Sequence, residues 1–167
     1  MKNFVTIADQ DRGKTFYVKN QILKRFQSRR NYIFDINKEY NEFRNEIKFV
    51  SDRDTFLNSV PNKDKSNVNV VFEEASAFFS KSGNSARSTI QHICRRFHTG
   101  NINVFVFHAL DQVPTDIMLY IDFTIIFRTL DDPLKIAKKF EGFPKIVEAF
   151  NDVRAKTENT KFDRHKK

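Results

Sequence analysis

The chain has a single cysteine, Cys94, and this excludes an internal disulfide. A lone thiol fits a reducing, intracellular setting, so a cytoplasmic location is expected. No apolar run approaches the roughly 20 residues that a membrane helix needs; the longest candidates are broken by Asp or Asn, and no span is expected. Met1-Lys2-Asn3 leads straight into a predicted strand, so no signal peptide is expected either. Internal repeats and low-complexity segments are lacking. Glycine is scarce, with four in the whole chain, and that scarcity matters for one loop below.

What is present describes a packed globule. The 167 residues are 40% hydrophobic and include 19 Phe, enough to bury a core without staples. A single domain over residues 1–153 is expected, followed by a basic, poorly ordered tail over 154–167. The formal charge of +8 and a pI near 9.6 favour a polyanionic partner. The basic residues are spread out, and simple solubility is the other reading of that charge.

Phe4-Val5-Thr6-Ile7 reads as a short buried strand. Phe16, Val18, Ile22, Leu23 and Phe26 recur at helical spacing. Between them a loop ends in Gly13-Lys14-Thr15. Strand, loop, Gly-Lys-Thr and helix in that order make the context of a phosphate-binding loop. Backbone N–H groups of Asp11, Arg12, Gly13, Lys14, Thr15 and Phe16 would face the phosphates of ATP at a helix N-terminus. Lys14 would reach the β- and γ-phosphates, and the Thr15 hydroxyl would ligate Mg²⁺. Ala8 stands where the motif has its first glycine. Asp9 and Asp11 put acid beside a phosphate site, so their side chains must point outward or serve a metal or a neighbour. An ordinary βα turn with a chance Gly-Lys-Thr is the alternative.

Further strands are predicted over 32–36 and, as a short extra piece, over Glu46 to Val50. Ser51-Asp52-Arg53-Asp54 is an N-cap signal before Phe56. Val68-Asn69-Val70-Val71-Phe72 is a β-branched run ending in Glu73-Glu74. In a parallel α/β sheet, ligands bind outside the carboxyl ends of the strands, and two acids delivered there make a Walker B arrangement. Glu73 would hold the Mg²⁺ shell, and Glu74 would orient or deprotonate the attacking water. Acids where a strand meets a surface loop are the plainer reading.

Residues 88–98 read as a helix with apolar face Ile90, Ile93, Cys94 and Phe97, leaving Arg87, Arg95 and Arg96 to reach a neighbour or to be solvated. Asn103 to Phe107 is another buried strand, with His108 at its carboxyl end, either at the site or as a satisfied core histidine. A short helix is predicted over Ile117 to Tyr120 and a last strand over 121–127. Asp131-Asp132-Pro133 then caps a helix that Gly142-Phe143-Pro144 breaks, and a second piece runs to about Val153.

Laid out together, Gly13-Lys14-Thr15, Val70 to Ala75 and Ile102 to Pro114 resemble the FtsK/HerA superfamily of P-loop motor ATPases, above all the minimal genome-packaging ATPases of viruses and phages. The likeness covers roughly residues 3–130. It implies an α/β, RecA-like fold with a mostly parallel central sheet and helices on both faces. It also implies a ring, often a hexamer, that hydrolyses ATP at subunit interfaces and moves DNA through its pore. In that reading Lys14 and Thr15 bind ATP and Mg²⁺, Glu74 is the catalytic carboxylate, and Arg95 or Arg96 is an arginine finger in trans. His108 stands where relatives often carry Gln, and Glu73 where Asp is more usual. The implied partners are DNA, bound through phosphates, and a capsid vertex or portal protein; the implied setting is host cytoplasm or virion. Three other readings stand beside it: a phage assembly and export ATPase of the zonular-occludens-toxin type, a small P-loop nucleotide kinase, and a non-catalytic nucleotide-binding module favoured by the glycine-poor loop.

Overall fold

Short runs of β-branched and aromatic residues pair into one sheet. In the computed structural model, which describes residues 2–9, 12–41, 47–48, 55–56, 67–79, 89, 93 and 100–164, the strands are β1 (Lys2–Ile7), β2 (Asn31–Phe34), β3 (Ile47–Lys48), β4 (Asn69–Phe72), β5 (Ile102–Phe107) and β6 (Phe123–Ile126). Their order is β3-β2-β4-β5-β1-β6, and each neighbouring pair is parallel. All carboxyl ends therefore open on one edge. β4 and β5 are buried along their whole length, which explains why they read as near-continuous apolar runs rather than as alternating ones.

Alternation decides which face each side chain serves. Val70, Phe72, Phe105 and Phe107 go to one core cluster, while Val71, Val104 and Val106 go to the other. On the first face Phe72 stacks on Phe105 (centroids 4.7 Å apart) and meets Phe56 and Phe78 edge-on at 5.4 and 5.1 Å. Such pairs add roughly 0.5–1.5 kcal/mol each beyond area burial. Helix α2 (Pro133–Lys139) covers this face through Ile136. It starts as read, with Asp132 accepting from the Leu134 N–H at 2.9 Å and Pro133 opening the first turn.

The opposite face is covered by helix α1 (Lys14–Tyr17), which runs on as a π turn over Val18–Leu23 and a 3-10 turn over Lys24–Phe26. Val18, Ile22 and Leu23 pack there, as their spacing predicts. Phe16 does not join them. It is 68% exposed, a correction to the apolar face drawn from the sequence.

Several boundaries differ for local reasons. The strand predicted over 32–36 stops at Phe34, because the Asp35 carboxylate turns back to accept from the Glu39 and Tyr40 N–H groups. The last strand is confined to Phe123–Ile126, and Thr115–Tyr120 is a 3-10 turn. Helix α3 (Pro144–Arg164) continues well past Val153 into the stretch expected to be poorly ordered. Phe150 anchors it in the core, and no Gly or Pro interrupts residues 145–164, so the helix propagates from a fixed turn. Of the helix predicted over 88–98, Thr89 and Ile93 are described; both are helical and buried. Arg87, Arg95 and Arg96 lie outside the described residues. No helix among the described residues is long and apolar enough to cross a membrane.

Candidate functional site

Because β5 lies between β1 and β4, the loop after β1, the Glu73-Glu74 pair after β4 and His108 after β5 share one edge. Gly13 introduces α1 with φ 84°, a left-handed conformation in which a side chain would be strained. Ala8, by contrast, has no positive φ, so its backbone conformation does not call for glycine. Its N–H bonds the Phe107 carbonyl at 3.3 Å, tying the start of the loop to β5.

Lys14 is folded back into its own loop. Its ammonium donates to the Ala8 and Asp9 carbonyls at 2.6 and 2.8 Å and lies 3.3 Å from His108 Nδ1. Burial, with 6% exposure, pulls its pKa below the ordinary lysine value, and Glu73, Glu74, Asp9 and Glu39 work against that shift. His108 Nε2 in turn sits 2.5 Å from Glu74 Oε1. A neutral imidazole with its proton on Nε2 satisfies both contacts, accepting from Lys14 and donating to Glu74. Glu74 reaches it from a left-handed backbone, φ 57° and ψ 48°, just ahead of the 3-10 turn Ala75–Phe78. A non-glycine residue held there stores strain, a feature that clusters at functional sites.

Beside this line lies a second. The Thr15 hydroxyl bonds Glu39 Oε2 and lies 3.3 Å from Glu73 Oε1. Tyr40 donates its phenol to Glu73 Oε2 at 2.9 Å. Glu73 is 4% exposed, and burial raises its pKa to about 7; the bonds from Tyr40 and Thr15 oppose the shift, while Glu39 and Asp35 add to it. Two carboxylates thus converge on one hydroxyl proton. This donor set fits Mg²⁺, a hard cation that takes one or two carboxylates, a hydroxyl and phosphate oxygens. Among the described residues no cluster of three or more His, Cys, Asp and Glu would cage a metal without such help.

Arg12, Gly13, Lys14, Thr15, Phe16, Asn37, Glu39, Glu73, Glu74 and His108 line one cavity of about 570 Å³. The exposed Phe16 is therefore at the site rather than in the core. Asp9 serves a neighbour, one of the outcomes expected for an acid in this loop. Its N–H bonds the Arg128 carbonyl at 3.0 Å, and its carboxylate accepts from the Leu130 N–H at 3.1 Å. Asp11 lies outside the described residues. Arg128 lines a different cavity, with Thr129 and Arg154. Glu39 and Tyr40, which follow the strand predicted over 32–36, were not among the residues singled out from the sequence. The one available signal was Asp35, an acid at a strand end where a side chain caps a turn.

No family model matches the chain, and no curated protein matches it. Solved structures do. The genome packaging NTPase B204 from Sulfolobus turreted icosahedral virus 2, in complex with AMPPCP, aligns with TM-score 0.70 and 17% identity over 89% of this chain and 87% of that one. The same protein with ATP-gammaS aligns with TM-score 0.71 and 15% identity over 89% and 85%. The cytoplasmic domain of EssC aligns with TM-score 0.65 and 13% identity over 81% of this chain but 33% of that one. At these identities the likeness is one of fold: an α/β P-loop NTPase with a parallel sheet, as the sequence motifs imply.

Proposed function

We propose that this chain is an ATP-hydrolysing motor of the FtsK/HerA kind that moves DNA, working in the packaging of a viral or phage genome. The observation that carries it is the line Lys14–His108–Glu74 at the carboxyl ends of neighbouring parallel strands, beside Thr15 and Glu73. The fold shared with a genome packaging NTPase caught with ATP analogues supports the same reading.

In this mechanism Lys14 leaves the Ala8 and Asp9 carbonyls for the β- and γ-phosphates, exchanging two neutral acceptors for charged ones. Thr15 and Glu73 hold Mg²⁺, which when bound neutralises charge on the phosphate oxygens. Glu74 orients the attacking water and accepts its proton. His108, between Lys14 and Glu74, links phosphate occupancy to the position of the base. Arg95 or Arg96 acts in trans on a neighbour's nucleotide within a homo-oligomeric ring, a hexamer in the simplest case. DNA is gripped through phosphate, without reading sequence. A capsid vertex or portal protein is the docking partner, in host cytoplasm or virion.

The test is ATP turnover with and without DNA, together with mass measurement in solution. DNA-stimulated phosphate release from an oligomer is expected. Phosphoryl transfer to a nucleoside monophosphate by a monomer would replace this reading with a kinase.

A further inference from the structure

We propose that Tyr40 is a positioning residue for Glu73, held in place by the turn that follows β2; this rests on the nucleotide-hydrolysing reading above. β2 lies directly beside β4, with Phe34 level with Phe72, so the turn after β2 emerges next to Glu73. Asp35 is wholly buried and commits both carboxylate oxygens to that turn, accepting from the Glu39 N–H at 2.9 Å and from the Tyr40 N–H at 3.0 Å. Lys38, within the turn, is held at φ 57°, in the left-handed region that non-glycine residues avoid. A strained turn persists where its surroundings over-determine it, and here the buried carboxylate does so.

The same turn inserts the Tyr40 ring into the core cluster with Ile33 and Val71, leaving it fully buried. A ring fixed in that way has no freedom to move its hydroxyl, which donates to Glu73 Oε2 at 2.9 Å. With Oε2 engaged, Oε1 is the oxygen turned toward the Thr15 hydroxyl at 3.3 Å. Tyr40 therefore fixes the orientation of the Glu73 carboxylate, keeping its second oxygen on the Thr15 side, where the divalent cation would sit. Partners that orient a metal-binding carboxylate are typically worth about 10–100-fold in metal affinity.

The experiment measures binding of a non-hydrolysable ATP analogue to the full chain, with Mg²⁺ and with EDTA. Tyr40→Phe should weaken the Mg²⁺-assisted binding about ten-fold and leave binding in EDTA unchanged, and in a Glu73→Gln background it should add nothing. An equal loss with and without Mg²⁺, or none, would overturn the proposal while leaving the nucleotide site intact. A wild-type chain that gains nothing from Mg²⁺ would instead remove the function proposed above and this inference with it. If Tyr40→Phe does not fold, Tyr40→Phe/Glu73→Leu decides. A hydroxyl that serves Glu73 predicts that the double variant folds, since no buried carboxylate is then left without its donor. A double variant that fails to fold where Glu73→Leu alone folds would show that the hydroxyl serves something other than Glu73, and would overturn the proposal.

Discussion

Glu74 Oε1 and His108 Nε2 lie 2.5 Å apart across the β4–β5 pair, and the glutamate makes the contact from a left-handed backbone at φ 57°. Glu74→Gln should still bind Mg-ATP but turn it over about 10²–10⁴-fold more slowly, the usual loss for a general base. Glu74→Gly should be inactive yet more stable by about 1 kcal/mol, since glycine carries no penalty in that conformation. Single-turnover kinetics and urea unfolding check the two halves. A Glu74→Gly variant less stable than wild type would mean that the contact outweighs the strain.

Glu73 gives a pH dependence with a definite sign. Its folded pKa of about 7 lies above the ordinary value of 4.5, so the folded chain holds this proton more tightly than the unfolded one. The stabilisation is complete below the ordinary value and is lost as pH rises through about 7. Metal-free protein should lose up to about 3 kcal/mol over that window, at roughly 1.4 kcal/mol per pH unit. Mg²⁺ affinity should rise over the same window, because the ligand is the carboxylate. Urea unfolding in EDTA at several pH values, for wild type and Glu73→Gln, tests this. The same slope in both proteins would assign it to another group.

Lys14→Ala should abolish hydrolysis and weaken ATP binding strongly, because no other described lysine lines the 570 Å³ cavity. Arg12 is the other cation on its wall, and Arg128 belongs to a separate cavity. An arginine finger is worth about 10³–10⁵ in rate, and the trans reading assigns it to Arg95 or Arg96 of a neighbour rather than to Arg12. Specific activity should climb with protein concentration as rings form. Mixing an Arg95/Arg96 double alanine variant with Lys14→Ala should restore part of it. A concentration-independent rate would point to a group within the same chain.

DNA binding should be indifferent to sequence and should fall steeply with salt, since the +8 charge would act by counterion release. Titrations of unrelated duplexes at 50 and 200 mM salt suffice. Salt-independent binding, or none in the presence of an ATP analogue, would count against the motor reading.

Much of the site was legible because its signals are local. Gly13-Lys14-Thr15 declares itself by spacing, Val70-Val71-Phe72 by its β-branched and aromatic character, and Asp132-Pro133 by capping chemistry. A residue that ends a buried parallel strand lies on the carboxyl edge of the sheet by topology alone, and Glu73, Glu74 and His108 do share that edge and one cavity. Helical periodicity was weaker evidence. It could not separate Phe16, which is exposed and lines the cavity, from Val18 and Ile22, which are buried.

The sequence by itself thus determined the strand-loop-helix unit, the acidic strand end and the parallel α/β class, since each follows from a few consecutive residues. Tertiary structure decided the rest. The Glu39–Thr15 contact spans 24 positions, the Tyr40–Glu73 contact 33 and the His108–Lys14 contact 94. Nothing in a short window encodes these pairings, because they exist only once β2, β4, β5 and β1 have taken their order in the sheet. Burial then sets the chemistry: the same Glu73 that would ionise near its ordinary value in an open chain holds its proton to about 7 when desolvated between Tyr40 and Thr15.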